Sequence, residues 1–179
     1  MKAPLESLET QVKSGRNYES PPLHLWHPPL SGDISIHINA QGEWYHDGSK
    51  IERQSLVNLF SSILRREEDG EYYLVTPTEK WRIEVELHAL LIIDFDTQMV
   101  AGEQIIKATL STGREIIVGE EHPLFLDTTV GGIAAVRVAN GLTALSARPA
   151  WYRLVSMAAS LDGVEVIASG TYVFPLGAD

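Results

Sequence analysis

Alternating apolar and polar residues predict β-strands along much of this chain. The pattern begins at Asp33, where Ile34, Ile36 and Ile38 alternate with polar residues, and Gln41-Gly42 then turns the chain into a second strand. Further strands are predicted at positions 72–75, 81–86, 90–95, 105–110, 115–118, 124–126, 133–138, 164–168 and 171–176.

Apolar residues at helical spacing predict two helices within this series of strands. Ser49 and Glu52 have the spacing of a capping box, and the apolar pattern after them runs to Leu64, where Arg65 and Arg66 would complement the helix dipole. Asp69-Gly70 would stop this helix.

A second helix is predicted from Pro149, with Asp162-Gly163 as its stop. At the start of the chain, Leu5, Leu8 and Val12 fit one helical face, although a frayed arm is an equal alternative.

The order of elements occurs twice, which indicates an internal duplication. Gly42 to Gly70 corresponds to Gly141 to Gly163, each with a Gly-led strand, a short polar link, a helix and an Asp-Gly stop, and a two-stranded return follows each stretch. Chance similarity of short α+β runs is the alternative. We therefore predict an α+β protein of two lobes, each a strand-strand-helix-strand-strand unit, with an arm or short helix at 1–20, an N-terminal lobe at 21–86 and a C-terminal lobe at 87–179.

Composition narrows the classes of function. The 179 residues carry a net charge of −10, which opposes binding to duplex nucleic acid, since that depends on many Lys and Arg contacts. The absence of cysteine excludes thiolate nucleophiles and Cys-type zinc sites. No signal-peptide core and no stretch of about 20 apolar residues is found, so we expect a cytoplasmic protein without a membrane partner.

Several blocks of sequence resemble a known family. They are Pro21-Pro22 with Trp26 and Pro28, the block 56–67 (Leu-Val-Asn-Leu-Phe-Ser-Ser-Ile-Leu-Arg-Arg-Glu), Leu74 to Lys80, His122-Pro123-Leu124, Val136-Arg137-Val138 and Gly170 to Gly177. Through these blocks the chain resembles the bacterial domain-of-unknown-function family 1285. The resemblance implies a duplicated α+β core whose C-terminal lobe looks superficially like a pleckstrin-homology fold. It also implies a nucleotide-like small-ligand site at the lobe interface, a role in signalling and no established enzyme activity.

Seven residues form the candidate ligand site. An Arg or Lys can hold a phosphate or carboxylate, a Thr hydroxyl can hydrogen-bond to it, and an indole face can cover a purine. The candidates are Trp26, Arg65, Thr76, Glu79, Lys80, His122 and Arg137. The alternative interpretation is structural: Arg65 caps its helix, Glu79 and Lys80 lie in a hairpin turn, and Arg137 pairs with a surface acid.

The first hypothesis for function is a sensor or regulatory protein that binds a nucleotide or another small anionic metabolite. A second is a metal-assisted hydrolase or transferase using Asp94, Asp96 and His122. A third is a protein-interaction adapter that presents strand edges or its proline-rich lead-in. Standard enzyme motifs such as a phosphate loop, a GxSxG elbow or HExxH are missing from the sequence, so we predict no catalytic residues and no cofactor.

Overall fold

The computed structural model describes residues 4–14 and 20–177 of the chain. The protein divides into two compact units, an N-terminal unit of Met1–Ala89 with Ala139–Leu142 and a C-terminal unit of Leu90–Val138 with Thr143–Asp179. Each unit contains a six-stranded sheet and few helices. The predicted α+β class with duplicated lobes is confirmed.

The N-terminal sheet consists of two three-stranded antiparallel meanders. The strands of the first meander are β1 (Gly32–Ile38), β2 (Trp44–His46) and β3 (Ser49–Lys50). Those of the second are β4 (Leu64–Arg66), β5 (Tyr72–Val75) and β6 (Lys80–Val85). β1 and β6 run parallel and join the meanders in the order β3-β2-β1-β6-β5-β4.

Two helices belong to this unit, α1 (Pro4–Ser14) and α2 (Gln54–Ser62). The apolar faces predicted from their spacing are buried: Leu8 of α1 and Phe60 of α2 are fully inaccessible to solvent. Phe60 stacks on Trp44 of β2, with 6.4 Å between the ring centroids. The isoleucines of β1 are buried too, so the alternation along β1 separates a core face from a polar face.

The predicted capping box at Ser49 and Glu52 is wrong. Ser49 and Lys50 form strand β3, and Arg53 occupies the N-cap position of α2 with no side-chain capping bond. The reason is the turn Asp47-Gly48, in which both residues have positive φ and which closes a tight hairpin between β2 and β3. Because the hairpin includes Ser49 and Lys50 as a strand, the helix begins only at Gln54.

The predicted end of α2 is wrong as well. The helix ends at Ser62, and Arg65 and Arg66 lie in β4, where they cannot complement a helix dipole. Leu64 is fully buried opposite Leu74 of β5, so its apolar side chain serves a strand rather than a last helical turn. The helix-capping alternative for Arg65 is therefore wrong.

The C-terminal sheet has the same construction. Its first meander consists of β7 (Leu90–Val100), β8 (Glu103–Leu110) and β9 (Glu115–Ile117). Its second consists of β10 (Leu124–Asp127), β11 (Ile133–Arg137) and β12 (Thr143–Ser146). β7 and β12 are the parallel pair that joins them.

A third helix and a small sheet complete the C-terminal unit. Helix α3 spans Arg148–Ser156 with Pro149 in its first turn, as predicted. The helix does not continue to Asp162-Gly163, because the chain after Ser156 forms the antiparallel strands β13 (Ala159–Leu161), β14 (Val164–Ser169) and β15 (Tyr172–Pro175). Asp162-Gly163 is the turn between β13 and β14, and both of its residues have positive φ.

The two units repeat at two levels. The order strand-strand-helix-strand-strand occurs as β2-β3-α2-β4-β5 and again as β11-β12-α3-β13-β14. The six-stranded sheets show a second repeat that is offset along the chain from the first one. In this second repeat β1 to β6 correspond in topology to β7 to β12. The helices do not follow this second repeat. In the chain, α2 stands between the two meanders of the N-terminal unit, whereas α3 follows both meanders of the C-terminal unit.

Among the residues that the structure describes, no helix has the length and apolar character needed to cross a bilayer.

Candidate functional site

A row of polar side chains crosses four strands on the polar face of the N-terminal sheet. Arg65 lies opposite Tyr73, Tyr73 opposite Arg82, and Arg82 opposite Asp33. Because side chains alternate along a strand, the four residues share the face away from the buried isoleucines of β1. The row therefore places aromatic and charged groups within reach of each other.

Arg65 lies at one end of this row, and all three nitrogen atoms of its guanidinium donate hydrogen bonds. Nη1 donates to the backbone oxygens of Leu23 at 3.0 Å and Trp26 at 2.9 Å. Nε and Nη2 both donate to Oε2 of Glu67, at 3.0 and 2.5 Å. The residue thus ties the segment 23–26 to the sheet, and Trp26 takes part through its backbone carbonyl.

Lys80 binds the same carboxylate from the neighbouring side. Its Nζ lies 2.8 Å from Oε1 of Glu67 and 4.6 Å from the centroid of the Tyr73 ring. The side chains of Arg65 and Lys80 are 13% and 18% exposed, and that of Glu67 is 24% exposed. Two largely buried cations therefore share one carboxylate, an arrangement we call the Arg65–Lys80 cluster.

The ionisation of Glu67 reflects this environment. Burial raises the pKa of its carboxyl group, but the hydrogen bonds and charges of Lys80 and Arg65 outweigh burial and hold the pKa below its ordinary value. Beside the cluster, the hydroxyl of Tyr73 donates to Asp69 at 2.5 Å. This bond to Asp69, with burial and nearby carboxylates, raises the pKa of Tyr73 to about 12. Glu67 is thus ionised, and Tyr73 is protonated, at neutral pH.

Thr76 and Glu79 have structural roles in the turn between β5 and β6. The Thr76 hydroxyl is buried and accepts a hydrogen bond from the backbone nitrogen of Glu79 at 3.0 Å. The Glu79 carboxylate accepts hydrogen bonds from Ser7 and Gln11 of α1. Both predicted residues thus hold the turn and fasten α1, and their polar groups already have partners within the protein.

His122 and Arg137, the two predicted residues of the C-terminal unit, lie next to each other. Nδ1 of His122 is 3.3 Å from the backbone oxygen of Arg137. The Arg137 guanidinium lies 4.7 Å from the centroid of the Phe125 ring, a cation–π contact that holds it on the surface. Within the described part of the chain, the structure gives Arg137 this aromatic contact and no salt bridge.

Comparisons with known proteins agree with this architecture. Residues 21–87 match the model described as "Domain of unknown function (DUF1285), N-terminal domain", and residues 89–176 match "Protein of unknown function (DUF1285), C-terminal domain". The chain belongs to the DUF1285 family. The family resemblance noted in the sequence is thereby confirmed.

Solved structures of DUF1285 proteins match as well. The protein from Silicibacter pomeroyi DSS-3 is 34% identical, with a TM-score of 0.83 over 94% of this chain and 93% of that one. The protein from Shewanella baltica OS155 is 29% identical, with a TM-score of 0.58 over 69% of this chain and 91% of that one. A search of curated proteins finds no match. These comparisons show the family and attach no activity to it.

This DUF1285 protein has a second polar feature on the N-terminal sheet that the sequence analysis did not select. It is a shallow depression of about 410 Å³. Its lining residues are Ser35, His37, Asn39, Tyr45, Gly48 and Glu84. His37, one of these residues, lies near two carboxylates, with Nε2 3.3 Å from Glu86 and Nδ1 3.8 Å from Glu84. The polar alternation of β1 and β6 was visible in the sequence, but the parallel pairing that brings His37 opposite Glu84 was not.

The geometry gives no support to a metal site at Asp94 and Asp96. Arg153 of α3 lies across both residues, with Nε 3.3 Å from Asp94 and Nη2 3.2 Å from Asp96. Among residues 4–14 and 20–177, no group of three or more His, Asp or Glu side chains is placed to hold a metal ion. The two carboxylates serve instead to orient α3 against β7.

Proposed function

We propose that this protein binds a small anionic ligand, a nucleotide or another anionic metabolite, and acts as a sensor or regulatory protein. The observation that carries the proposal is the Arg65–Lys80 cluster, in which two largely buried cations share the single carboxylate of Glu67. The three side chains together carry one excess positive charge, and the Asp69 carboxylate that accepts from Tyr73 beside them offsets part of it.

Excess charge in a partly buried place favours an anion as partner. Removing a cation from water costs free energy that nearby opposite charges and hydrogen-bond acceptors offset. A phosphate or carboxylate suits both cations, because Arg offers a planar fork of donors and Lys offers a compact charge with three donors. The rest of the chain is acidic, so the local positive charge is not a general property of the surface.

A connection to the segment 23–26 supports a regulatory role. The Arg65 guanidinium binds Glu67 on one side and the carbonyls of Leu23 and Trp26 on the other. An anion that competes with Glu67 for Arg65 and Lys80 changes the bonds that hold this segment on the sheet. Ligand binding would thereby be reported as a change in the order of the segment.

The C-terminal unit offers an additional anion contact of the same chemistry. Arg137 is exposed, rests on Phe125 and lies beside His122. Its guanidinium rests on the aromatic ring, while His122 contacts the backbone oxygen of the same residue. This makes Arg137 the second residue to test.

Nucleotide binding can be tested by thermal shift and calorimetry. We expect ATP, GTP or their monophosphates at about 1–10 mM to raise the melting temperature, as any ligand that binds the native state does. Lys80→Gln should weaken the binding about tenfold or more, because it removes one of two contacting charges. Lys107→Gln is the matched control, since Lys107 forms a comparable salt bridge with Glu115 on the other sheet.

Glu67→Gln separates an anion site from an internal ion pair. If the cluster binds anions, removing the competing carboxylate should strengthen binding while lowering the stability of the free protein. If no nucleotide, phosphate or citrate raises the melting temperature of either the native protein or Glu67→Gln, the proposal is wrong.

A further inference from the structure

The turn between β11 and β12 has Asn140 and Gly141 at its two central positions. Their φ angles are 63° and 71°, and the backbone nitrogen of Leu142 donates to the oxygen of Ala139 at 3.3 Å. Two consecutive positive φ angles are characteristic of a type I′ turn, for which Asn-Gly is a preferred pair. The turn therefore favours this dipeptide for reasons of backbone geometry alone.

Contact with β4 fixes the glycine of this turn. The segment Ala139–Leu142 belongs to the N-terminal unit, and the backbone nitrogen of Arg66 donates to the oxygen of Asn140 at 2.9 Å. A Cβ on Gly141 would lie 2.6 Å from the backbone oxygen of Arg66. The fold thus requires a glycine directly after an asparagine here, and of the four asparagines in the sequence only Asn140 precedes a glycine.

The carboxamide of Asn140 is accessible and unrestrained. Asn140 and Gly141 are both exposed to solvent. In the part of the chain that the structure covers, no group forms a hydrogen bond with the Asn140 carboxamide. Water therefore reaches this side chain and the backbone nitrogen that follows it.

Two other asparagines are restrained and serve as references. Oδ1 of Asn39 accepts hydrogen bonds from the backbone nitrogens of Gln41 at 3.1 Å and Glu43 at 2.8 Å. Asn58 lies within α2, and its Oδ1 accepts a hydrogen bond from Gln54 at 2.7 Å. Their side chains are held in place, and the residue that follows each has a side chain of its own.

We propose that Asn140 is a site of spontaneous deamidation and isomerisation. The backbone nitrogen of Gly141 loses its proton to water or hydroxide and attacks Cγ of Asn140, and ammonia leaves as a five-membered imide ring closes. Water then opens the ring at either of its carbonyl groups, which gives aspartate or isoaspartate. Water is consumed, ammonia is released and nothing is oxidised. Glycine favours the attack because it has no side chain to hinder its nitrogen.

The reaction starts with a local opening of the turn. The backbone carbonyl of Asn140 has to rotate before the ring can close, so its hydrogen bond from Arg66 opens first. Opening one exposed turn requires less free energy than unfolding the sheet. Isoaspartate adds a methylene group to the main chain at this position, and the contact with Arg66 cannot re-form unchanged. The modified chain thus carries one more negative charge and a weaker contact at the edge of β4.

Mass spectrometry of the incubated full chain tests this proposal. Deamidation replaces an amino group by a hydroxyl group, so the peptide that contains Asn140 should gain about 1 Da. The product at Asn140 should exceed that at Asn39 or Asn58 by about tenfold or more. It should form faster at about pH 8 than at about pH 6, because base removes the proton of the attacking nitrogen. Fragment ions that differ between aspartate and isoaspartate identify the isomer.

Asn140→Gly is the matched variant, because glycine adopts a positive φ and has no carboxamide. Its melting temperature should stay constant during the incubation, whereas that of the native protein should fall as isoaspartate accumulates. The same chain in urea gives the rate for the unfolded state. If opening is local, the native rate should lie within about a thousandfold of the rate in urea.

Three results would overturn the proposal. One is an unmodified Asn140 in native protein over a time in which the chain in urea reacts, or a native rate below the limit just given, since either result means that global unfolding is required. Another is equal modification of Asn140, Asn39 and Asn58. The third is a melting temperature that stays constant although isoaspartate has formed, which would show that the contact with Arg66 survives the modification.

Discussion

The N-terminal and C-terminal sheets have one topology but distribute charge differently. Each consists of two antiparallel meanders joined by a parallel pair of strands. In the N-terminal unit, the described carboxyl groups with a lowered pKa are Glu9, Asp33, Glu43, Glu67 and Asp69. In the C-terminal unit the pKa of Asp96 is lowered by the backbone N–H of Thr97 and by Arg153, and Asp127 accepts two hydrogen bonds from Thr129.

This difference shows that the strand order does not decide where a site forms. The same backbone arrangement carries a cluster of ionic contacts in one unit and, in the other, packs a helix through Arg153 and adds a small sheet with an uncharged face. Side chains at the polar positions of the strands make the difference. The Arg65–Lys80 cluster therefore depends on the side chains of this chain and not on its strand order alone.

The two cores should respond alike to a large cavity. Phe60 and Phe95 are both fully buried, one in each unit. Replacing either with alanine should lower the free energy of unfolding by about 3–5 kcal/mol, because a large apolar side chain is lost and its space is only partly refilled. Urea unfolding followed by circular dichroism measures the effect.

Met99→Ala is the control for both cavity variants, since Met99 is 65% exposed at the end of β7. It should change the free energy of unfolding by less than about 0.5 kcal/mol. A cost below about 1 kcal/mol for either phenylalanine would show that the corresponding sheet is not packed as described.

Replacement by alanine should destabilise the protein more at Gly141 than at Gly163, two glycines that lie in turns. Gly141 and Gly163 both have positive φ, 71° and 82°, so alanine is strained at each. A Cβ on Gly141 would lie 2.6 Å from the backbone oxygen of Arg66, whereas one on Gly163 meets nothing within 4 Å. We expect Gly141→Ala to lower the free energy of unfolding by about 2–4 kcal/mol and Gly163→Ala to lower it by about 1 kcal/mol.

Thermal denaturation of the two glycine variants tests this comparison. Equal losses would mean that strain alone matters and that the close approach of Gly141 to Arg66 is relieved at little cost. A smaller loss for Gly141→Ala than for Gly163→Ala would contradict the described packing.

Acid should destabilise the protein mainly by protonating carboxyl groups of the N-terminal unit. This loss of stability is the smallest of the expected effects. A carboxyl group whose pKa is lower in the folded protein contributes stability above its unfolded pKa, and that stability is lost as the pH falls through the folded value. The groups named above have ordinary values of 3.8 or 4.5, so the loss begins near these values and continues below them.

The measurement is the free energy of unfolding from about pH 6 to about pH 3. Glu67→Gln and Asp69→Asn should make it fall less steeply with acid than in the native protein. Asp96→Asn is the control from the other unit. A pH dependence unchanged by the two N-terminal variants would show that their ionic contacts do not stabilise the fold.

Local patterns in the sequence were sufficient to predict much of the secondary structure. The alternation of isoleucines placed β1, and Pro149 placed the start of α3, because periodicity and proline geometry act within a few residues. Ser49 and Leu64 were assigned to the wrong elements, because a short stretch can satisfy both a helical and a strand pattern. The hairpin turn at Asp47-Gly48 decided the first case, and burial opposite Leu74 decided the second.

The site was predicted less completely than the fold. Arg65 and Lys80 were chosen as cations in an acidic chain, but Glu67, which joins them, was missed because its role depends on strand pairing. Thr76 and Glu79 were selected for the right chemistry, yet α1 and the turn already use their polar groups.

The residue types and their spacing were enough to establish the α+β class, the duplication, the family and the acidic character of the chain. Strand neighbours, the partner of each charge and the exposure of Leu161, Val164 and Val173 followed only from the folded chain. The reason is physical: periodicity is a property of neighbours in sequence, whereas an ion pair or an exposed patch depends on strands far apart in sequence that lie side by side.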